Sequence, residues 1–403
     1  MTSHWIQLTA KDGGVFKAYV SLPAKGRGPG LVLLQEIFGV NVTMREQADA
    51  WAEEGYVVIV PDLFWRIEPG IELDYSPEGW KRAFACFQAF DVDKGIEDVQ
   101  ATIDELRRDP ALDGRIGAVG YCLGGKLAYL TGTRTDVDCS VCYYGVGIDE
   151  KLDELANLKG PMVLHFAELD KFVPREAAAK VQAAAEGHDL VAVYDYPGVD
   201  HAFARIGGDH WHKPSAMMAY SRSLALLRRV LGPAYDLSAL WEEHCRQALG
   251  TRDVEAILAT MAAEASVNFV PTMAGGSGRA ELARFFAEHF VTKMPEDAKL
   301  ISISRTVGSD RLVDEVLFCF THDVEMDWML PGIAPTGRYV EIPLVAIVGF
   351  RGDKLSDEHV HWDQASVLTQ IGALDPQGLP VAGVETAKKL LDPALPSNAL
   401  MDQ

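Results

Sequence analysis

Between residues 29 and 198 the chain repeats one pattern six times: a short, nearly unbroken apolar run bounded by Gly, Pro or Asp. The runs are PGLVLLQEIFG (29–39), GYVVIVPDLF (55–64), GRIGAVGY (114–121), CSVCYYGVG (139–147), GPMVLHFAELD (160–170) and HDLVAVYDYPG (188–198). Strands read this way when both faces of a parallel sheet are covered. Between them, apolar positions recur at helical spacing, as in KGIEDVQATIDELRRD (94–109) and REAAAKVQAAAEG (175–187). The alternation predicts an α/β unit, a mainly parallel sheet with helices on both faces, over residues 1–233. The helix MMAYSRSLALLRRVLG (217–232) closes it at Gly232-Pro233.

Beyond residue 234 the order changes. A helical opening, LSALWEEHCRQALGTRDVEAILATMA (237–262), precedes SVNFVPT, the glycine-rich AGGSG and a second helix, RAELARFFAEHFVTK (279–293). Strand-like runs then follow one another: KLISISRTVG, RLVDEVLFCFTHDVEMDWML, RYVEIPLVAIVGFRG and LSDEHVHWDQASVL. Helices first and an antiparallel meander after predict an α+β cone over 234–371. A proline-rich extension, 372–403, is expected to lie over the surface or a neighbouring subunit.

Composition narrows the function. At 403 residues, two domains are the natural expectation. The first residues, MTSHWIQLTAKDGG, hold no basic and then apolar leader, and no run reaches the roughly 18 apolar residues of a membrane helix. A cytoplasmic protein is expected. The net charge of −21, shared by both halves, speaks against nucleic acid and anionic membrane surfaces. Six scattered cysteines suit a reducing compartment and free thiols. The C-x-x-C pair Cys139/Cys142 falls inside a strand-like run and reads as core, and Cys86 on KRAFACFQAF reads as helix packing.

The candidate chemistry begins at AVGYCLGGKLAYL (118–130). Gly120-Tyr121-Cys122-Leu123-Gly124 has the spacing of a nucleophile elbow, with cysteine in the usual serine position. Asp170 follows the strand-like MVLHFAEL, and His201 follows AVYDYPGV. Nucleophile, acid and histidine in that order, each past the end of a strand, is the α/β-hydrolase arrangement. The roles then divide. Cys122 attacks an acyl carbon as thiolate, His201 moves protons, and Asp170 holds the imidazole tautomer. Leu123 N–H at the helix start, with a second donor near Glu36-Ile37, is expected to form the oxyanion hole.

Several longer segments make residues 1–233 resemble the dienelactone hydrolase (carboxymethylenebutenolidase) family. They are Gln35 to Asn41 (QEIFGVN), Pro61-Asp62-Leu63, Gly120 to Gly125, Tyr143 to Gly147 (YYGVG) and His201 to Arg205 (HAFAR). The resemblance implies an enzyme that opens lactone or ester bonds, without a cofactor, in aromatic-compound degradation. It also implies that Glu36 pairs with the resting Cys122 and swings to Arg205 when a carboxylate-bearing substrate binds. Phe38 and Tyr144 fall in its substrate-contacting segments. A second family arginine aligns with Trp80, flanked here by Lys81 and Arg82. Either a neighbouring cation takes over its role or the pocket is more aromatic.

Residues 237–371 resemble SnoaL-like members of the NTF2-like superfamily, chiefly through HVHWDQASVL (359–368). Strand alternation sets His359, His361 and Asp363 on one face, and Asp323, Glu325 and Asp327 on one face of another strand. Those residues form the candidate second site, with no metal expected. Two alternatives stand beside a plain lactonase. The second domain carries its own activity, or it serves binding and homodimerisation beside a general carboxylesterase.

Overall fold

A computed structural model describes residues 2–401. The chain divides into two units, one ending at Ala234 and the other beginning at Tyr235. The first contains eight strands: β1 (Thr2–Thr9), β2 (Val15–Leu22), β3 (Gly28–Leu34), β4 (Val57–Pro61), β5 (Leu112–Tyr121), β6 (Cys139–Tyr143), β7 (Met162–Ala167) and β8 (Val191–Tyr196). They form one sheet in the order β1-β2-β4-β3-β5-β6-β7-β8. Six of the strands, β3 to β8, are parallel, and β1 and β2 join antiparallel at one edge. The antiparallel pair is not among the six apolar runs, because β1 lies mostly in solvent.

Period-two alternation divides each central strand between two cores. In β3, Val32 and Leu34 enter the core beneath the helices Val92–Leu106 and Leu123–Arg134. Leu31 and Leu33 enter the opposite core, under Val42–Glu53 and Lys213–Leu231. The continuous apolar runs thus report burial on both faces, at about 1.5–3 kcal/mol for each large side chain buried. The run containing β8 is the exception. That strand is an edge and only half-buried along most of its length.

The second unit has a six-stranded sheet built from β9 (Met261–Phe269), β10 (Ala274–Ser277), β11 (Lys299–Val307), β12 (Arg311–Thr321), β13 (Tyr339–Arg351) and β14 (Lys354–Trp362), in the order β10-β9-β14-β13-β12-β11. It is not a pure antiparallel meander, since β14 pairs with β9 in parallel. The helical opening is broken at Arg252, which adopts φ 58, and restarts after the Asp253 cap. The run 311–330 is strand only to Thr321, so Asp323, Glu325 and Asp327 lie in an irregular segment rather than on a strand face. The extension contains a further helix, Glu385–Leu391, whose Ala387 is buried with Leu317 and Cys319 of β12.

Leu33→Ala removes a fully buried side chain from the centre of the first sheet. It should lower the unfolding free energy of that unit by about 2–5 kcal/mol in urea titrations, against less than about 1 if the position were surface-like.

Candidate active site

The helix Leu123–Arg134 starts immediately after β5, and the residue between them is Cys122, at φ 57 and ψ −114. That is left-handed territory for a side-chain-bearing residue, a conformation costing about 1–3 kcal/mol unless its surroundings impose it. The surroundings are backbone. A Cβ on Gly120 would strike the Gly124 carbonyl, and one on Gly124 would strike the carbonyls of Leu34 and Gln35. Only glycines allow β3, β5 and the helix to approach this closely. Cys122 is held further by its N–H donating to Tyr143 O at 3.1 Å.

Asp170 and His201 come from the segments after β7 and β8, at the same carboxyl edge of the sheet. Nδ1 of His201 lies 2.6 Å from Asp170 Oδ2. The other carboxylate oxygen accepts from Phe172 N at 2.8 Å and Val173 N at 3.1 Å, so Asp170 cannot turn away. Both side chains are buried. Burial opposes a charged imidazole, yet the influence of neighbouring Cys122 and the hydrogen bond to Asp170 outweigh it and push His201 up to about 10. Nε2 of His201 is buried, with no nitrogen or oxygen partner among the described residues, which leaves the Cys122 side as its contact. The rings of Tyr144 and Phe172 lie 4.9 Å from the imidazole. Cys122, Tyr144 and Ala202, all near this edge, share positive φ, a clustering typical of strained functional sites.

Cys122, Phe172, His201 and Ala202 border a cavity of about 170 Å³. Glu36, Ile37 and Phe38 follow β3 along one side, with Cys122, His201 and Arg205 opening onto the same space. Arg205 is buried, and its Nη1 donates to Glu36 Oε2 at 3.1 Å. Its guanidinium also sits over the Tyr75 ring at 4.1 Å. Burial disfavours the arginine's charge, but Glu36 more than compensates and raises its pKa. The Glu36 carboxylate therefore faces Arg205, the arrangement that the family resemblance associates with bound substrate rather than with the resting thiol.

Trp80 borders the cavity inside an aromatic wall, with ring centroids 4.9 Å from Phe38, 5.7 Å from Phe84 and 6.4 Å from Phe172. Its flanking cations do not reach the site. Lys81 is exposed, and Arg82 pairs with Glu68 outside the cavity. Tyr144 is fully buried behind His201, and burial raises its phenol well above the usual range. It supports the imidazole rather than facing the cavity. Leu123 begins a helix with no side-chain cap, unlike the helices capped by Asn41, Ser76 and Asp91. In that first turn the N–H groups of Gly125 and Lys126 donate to Cys122 O, and Leu123 N–H stands ahead of them at the helix start. Sequence reasoning missed Tyr75, Phe84 and Phe172. Of these only Phe172 carried a signal, two positions past Asp170.

Residues 16–231 match the dienelactone hydrolase family. The chain belongs to that family. It is similar to a "Putative carboxymethylenebutenolidase" of Azospirillum brasilense, 44% identical over 232 residues, covering 56% of this chain and 99% of that protein. A carboxymethylenebutenolidase of Pseudomonas sp. strain P51 is 37% identical over 231 residues, covering 57% and 97%. The solved "Putative Dienelactone Hydrolase" of Klebsiella pneumoniae superposes with a TM-score of 0.50 at 23% identity, covering 57% of this chain and all of that one, which supports the α/β fold. This dienelactone hydrolase family member is a hydrolase of lactone or ester bonds. Its family match ends at residue 231, before the second unit begins. No described helix is long and apolar enough to cross a membrane.

The sequence-predicted residues of the second unit do not assemble. His359, His361 and Asp363 are exposed, because the inward face of β14 carries Glu358, Val360 and Trp362. Asp363 instead caps the helix Gln364–Gln370. Asp327 pairs with His289 and Lys293, and Asp323 is exposed.

An NMR titration should find His201 protonated well above neutral pH, and Cys122→Ala should lower its midpoint by removing the largest favourable influence. The sign for stability follows. A folded value near 10 against an unfolded value near 6.5 gives a contribution fully present below about pH 6.5 and lost as pH rises toward about 10. A midpoint near 6.5 in the parent chain would contradict the pairing.

Proposed function

We propose that this protein is a cysteine-dependent hydrolase that opens a lactone bearing a carboxylate. The observation carrying this reading is His201, fixed by Asp170 at 2.6 Å and electrostatically coupled to Cys122 at a strained elbow on the cavity. The Cys122 thiolate attacks the lactone carbonyl, and the C–O bond to the ring oxygen breaks as an acyl-thioester forms. The oxyanion is received by the N–H groups of Leu123 and Ile37. The His201 imidazolium gives its proton to the leaving ring oxygen, which stays tethered to the acyl group. Neutral His201 then takes a proton from water, which attacks the thioester and frees Cys122. Asp170 holds the tautomer throughout.

Substrate selection rests on Arg205 and the aromatic wall. Arg205 is the arginine on the cavity, and a carboxylate offers the planar partner its fork prefers. Glu36 already occupies one arm of that fork, so an incoming carboxylate competes with it. Trp80 and Phe172, nearly parallel at 13°, favour a flat conjugated ring. The names of the relatives agree with a dienelactone-type substrate. For the second unit we propose an NTF2-like domain, a reading supported by its six-stranded sheet with helices packed into one apolar core.

Cys122→Ala should cut kcat by about 10⁴-fold or more with the fold intact by circular dichroism, and retained turnover would sink the mechanism. Arg205→Met should raise KM for a carboxylated lactone by about 10-fold or more, in line with losing a charge-assisted pair, while leaving its neutral methyl ester within about 2-fold. Equal losses on both substrates would mean that Arg205 does not read the carboxylate.

A further inference from the structure

The second unit holds a cavity of about 70 Å³ whose lining is almost wholly apolar, with Phe269, Phe290, Phe318 and Met294 among its walls. Polar groups of Trp328, His244 and Glu358 are among those that interrupt that lining. Trp328 is 4% exposed, and its indole N–H has no acceptor among the described residues. Buried N–H groups are nearly always paired, so this one marks a place where an acceptor is wanted. His244 and Glu358 are also buried and reach the same cavity from the helix Leu237–Cys245 and from β14.

The protonation pattern of His244 can be traced atom by atom. The Thr260 hydroxyl donates to Ile257 O at 2.6 Å. Its single proton is spent there, so the 2.6 Å contact between Thr260 Oγ1 and His244 Nδ1 needs the hydrogen on the ring. Nε2 is then the position left for other partners. It lies 3.6 Å from Glu358 Oε2, too far for a hydrogen bond. The pair leaves hydrogen-bonding capacity on both sides of a gap within an aromatic cavity.

We propose that this cavity is a binding site for an uncharged, single-ring compound carrying a hydroxyl group. The ring packs among the phenylalanines, and the hydroxyl gives its one proton to the Glu358 carboxylate beside His244. The same hydroxyl oxygen accepts from the Trp328 N–H. A carboxylated ring is disfavoured, because its charge would be desolvated beside the Glu358 carboxylate. The site is independent of the hydrolase reading and stands or falls without it.

The test uses the full chain labelled with ¹³C-methyl methionine, the Met294 resonance being assigned through Met294→Leu. The probe is 4-fluorophenol, with fluorobenzene and 4-fluorobenzoate as comparisons. Met294 reports this cavity, so binding at the hydrolase site is told apart from it. The Met294 methyl should shift saturably with 4-fluorophenol, at least about 5-fold more tightly than with fluorobenzene, as expected for one net hydrogen bond. It should stay still with 4-fluorobenzoate. Trp328→Phe and Glu358→Leu should each weaken 4-fluorophenol by about 5-fold. A Met294 methyl that ignores 4-fluorophenol overturns the proposal, as does equal affinity for the phenol and fluorobenzene. That comparison in the parent chain decides the question even if a variant fails to fold.

Discussion

The hydrolase unit depends on three backbone segments meeting without side chains between them. The end of β5, the first turn of Leu123–Arg134 and the end of β3 crowd together at Gly120 and Gly124. Only in that crowding is a positive φ at Cys122 sustained, and only with that φ does the sulfur stand apart from the strand that delivers it. The sheet pays for this strain through the two apolar cores that clamp β3 and β5 from both faces. Asp170 and His201 are then delivered to the same edge because parallel strands all end on one side.

Electrostatically, the cavity holds two opposed pairs. Cys122 faces an imidazole fixed by Asp170, and Glu36 faces Arg205. Glu36 is offset locally by Arg205, so a chain of net charge −21 still sets an arginine on the cavity. The aromatic wall strengthens this by excluding water and lowering the effective dielectric around both pairs. Glu36 lies on the same cavity as Cys122 while bonded to Arg205.

The second unit shows what one residue of strand phase does. HVHWDQ contains an alternating polar set, but alternation does not say which set points inward. On β14 the inward set is Glu358, Val360 and Trp362, leaving His359 and His361 in solvent. Likewise the run after Thr321 has strand-like spacing but lacks a partner strand, and without a ladder it does not remain extended.

Sequence alone determined what depends on local spacing. Strand–helix alternation, glycines around Cys122, and the order Cys122, Asp170, His201 all follow from steric and burial rules acting within a few residues. The antiparallel β1–β2 edge was not legible, since a solvent-exposed strand carries little apolar signal. Tertiary structure decided the rest. Glu36 met Arg205 across 169 residues of chain, Lys81 and Arg82 were left outside the cavity, and His244 was brought to Glu358. Those outcomes are set by which faces pack against which, and packing distances between remote segments leave no periodic trace in the sequence.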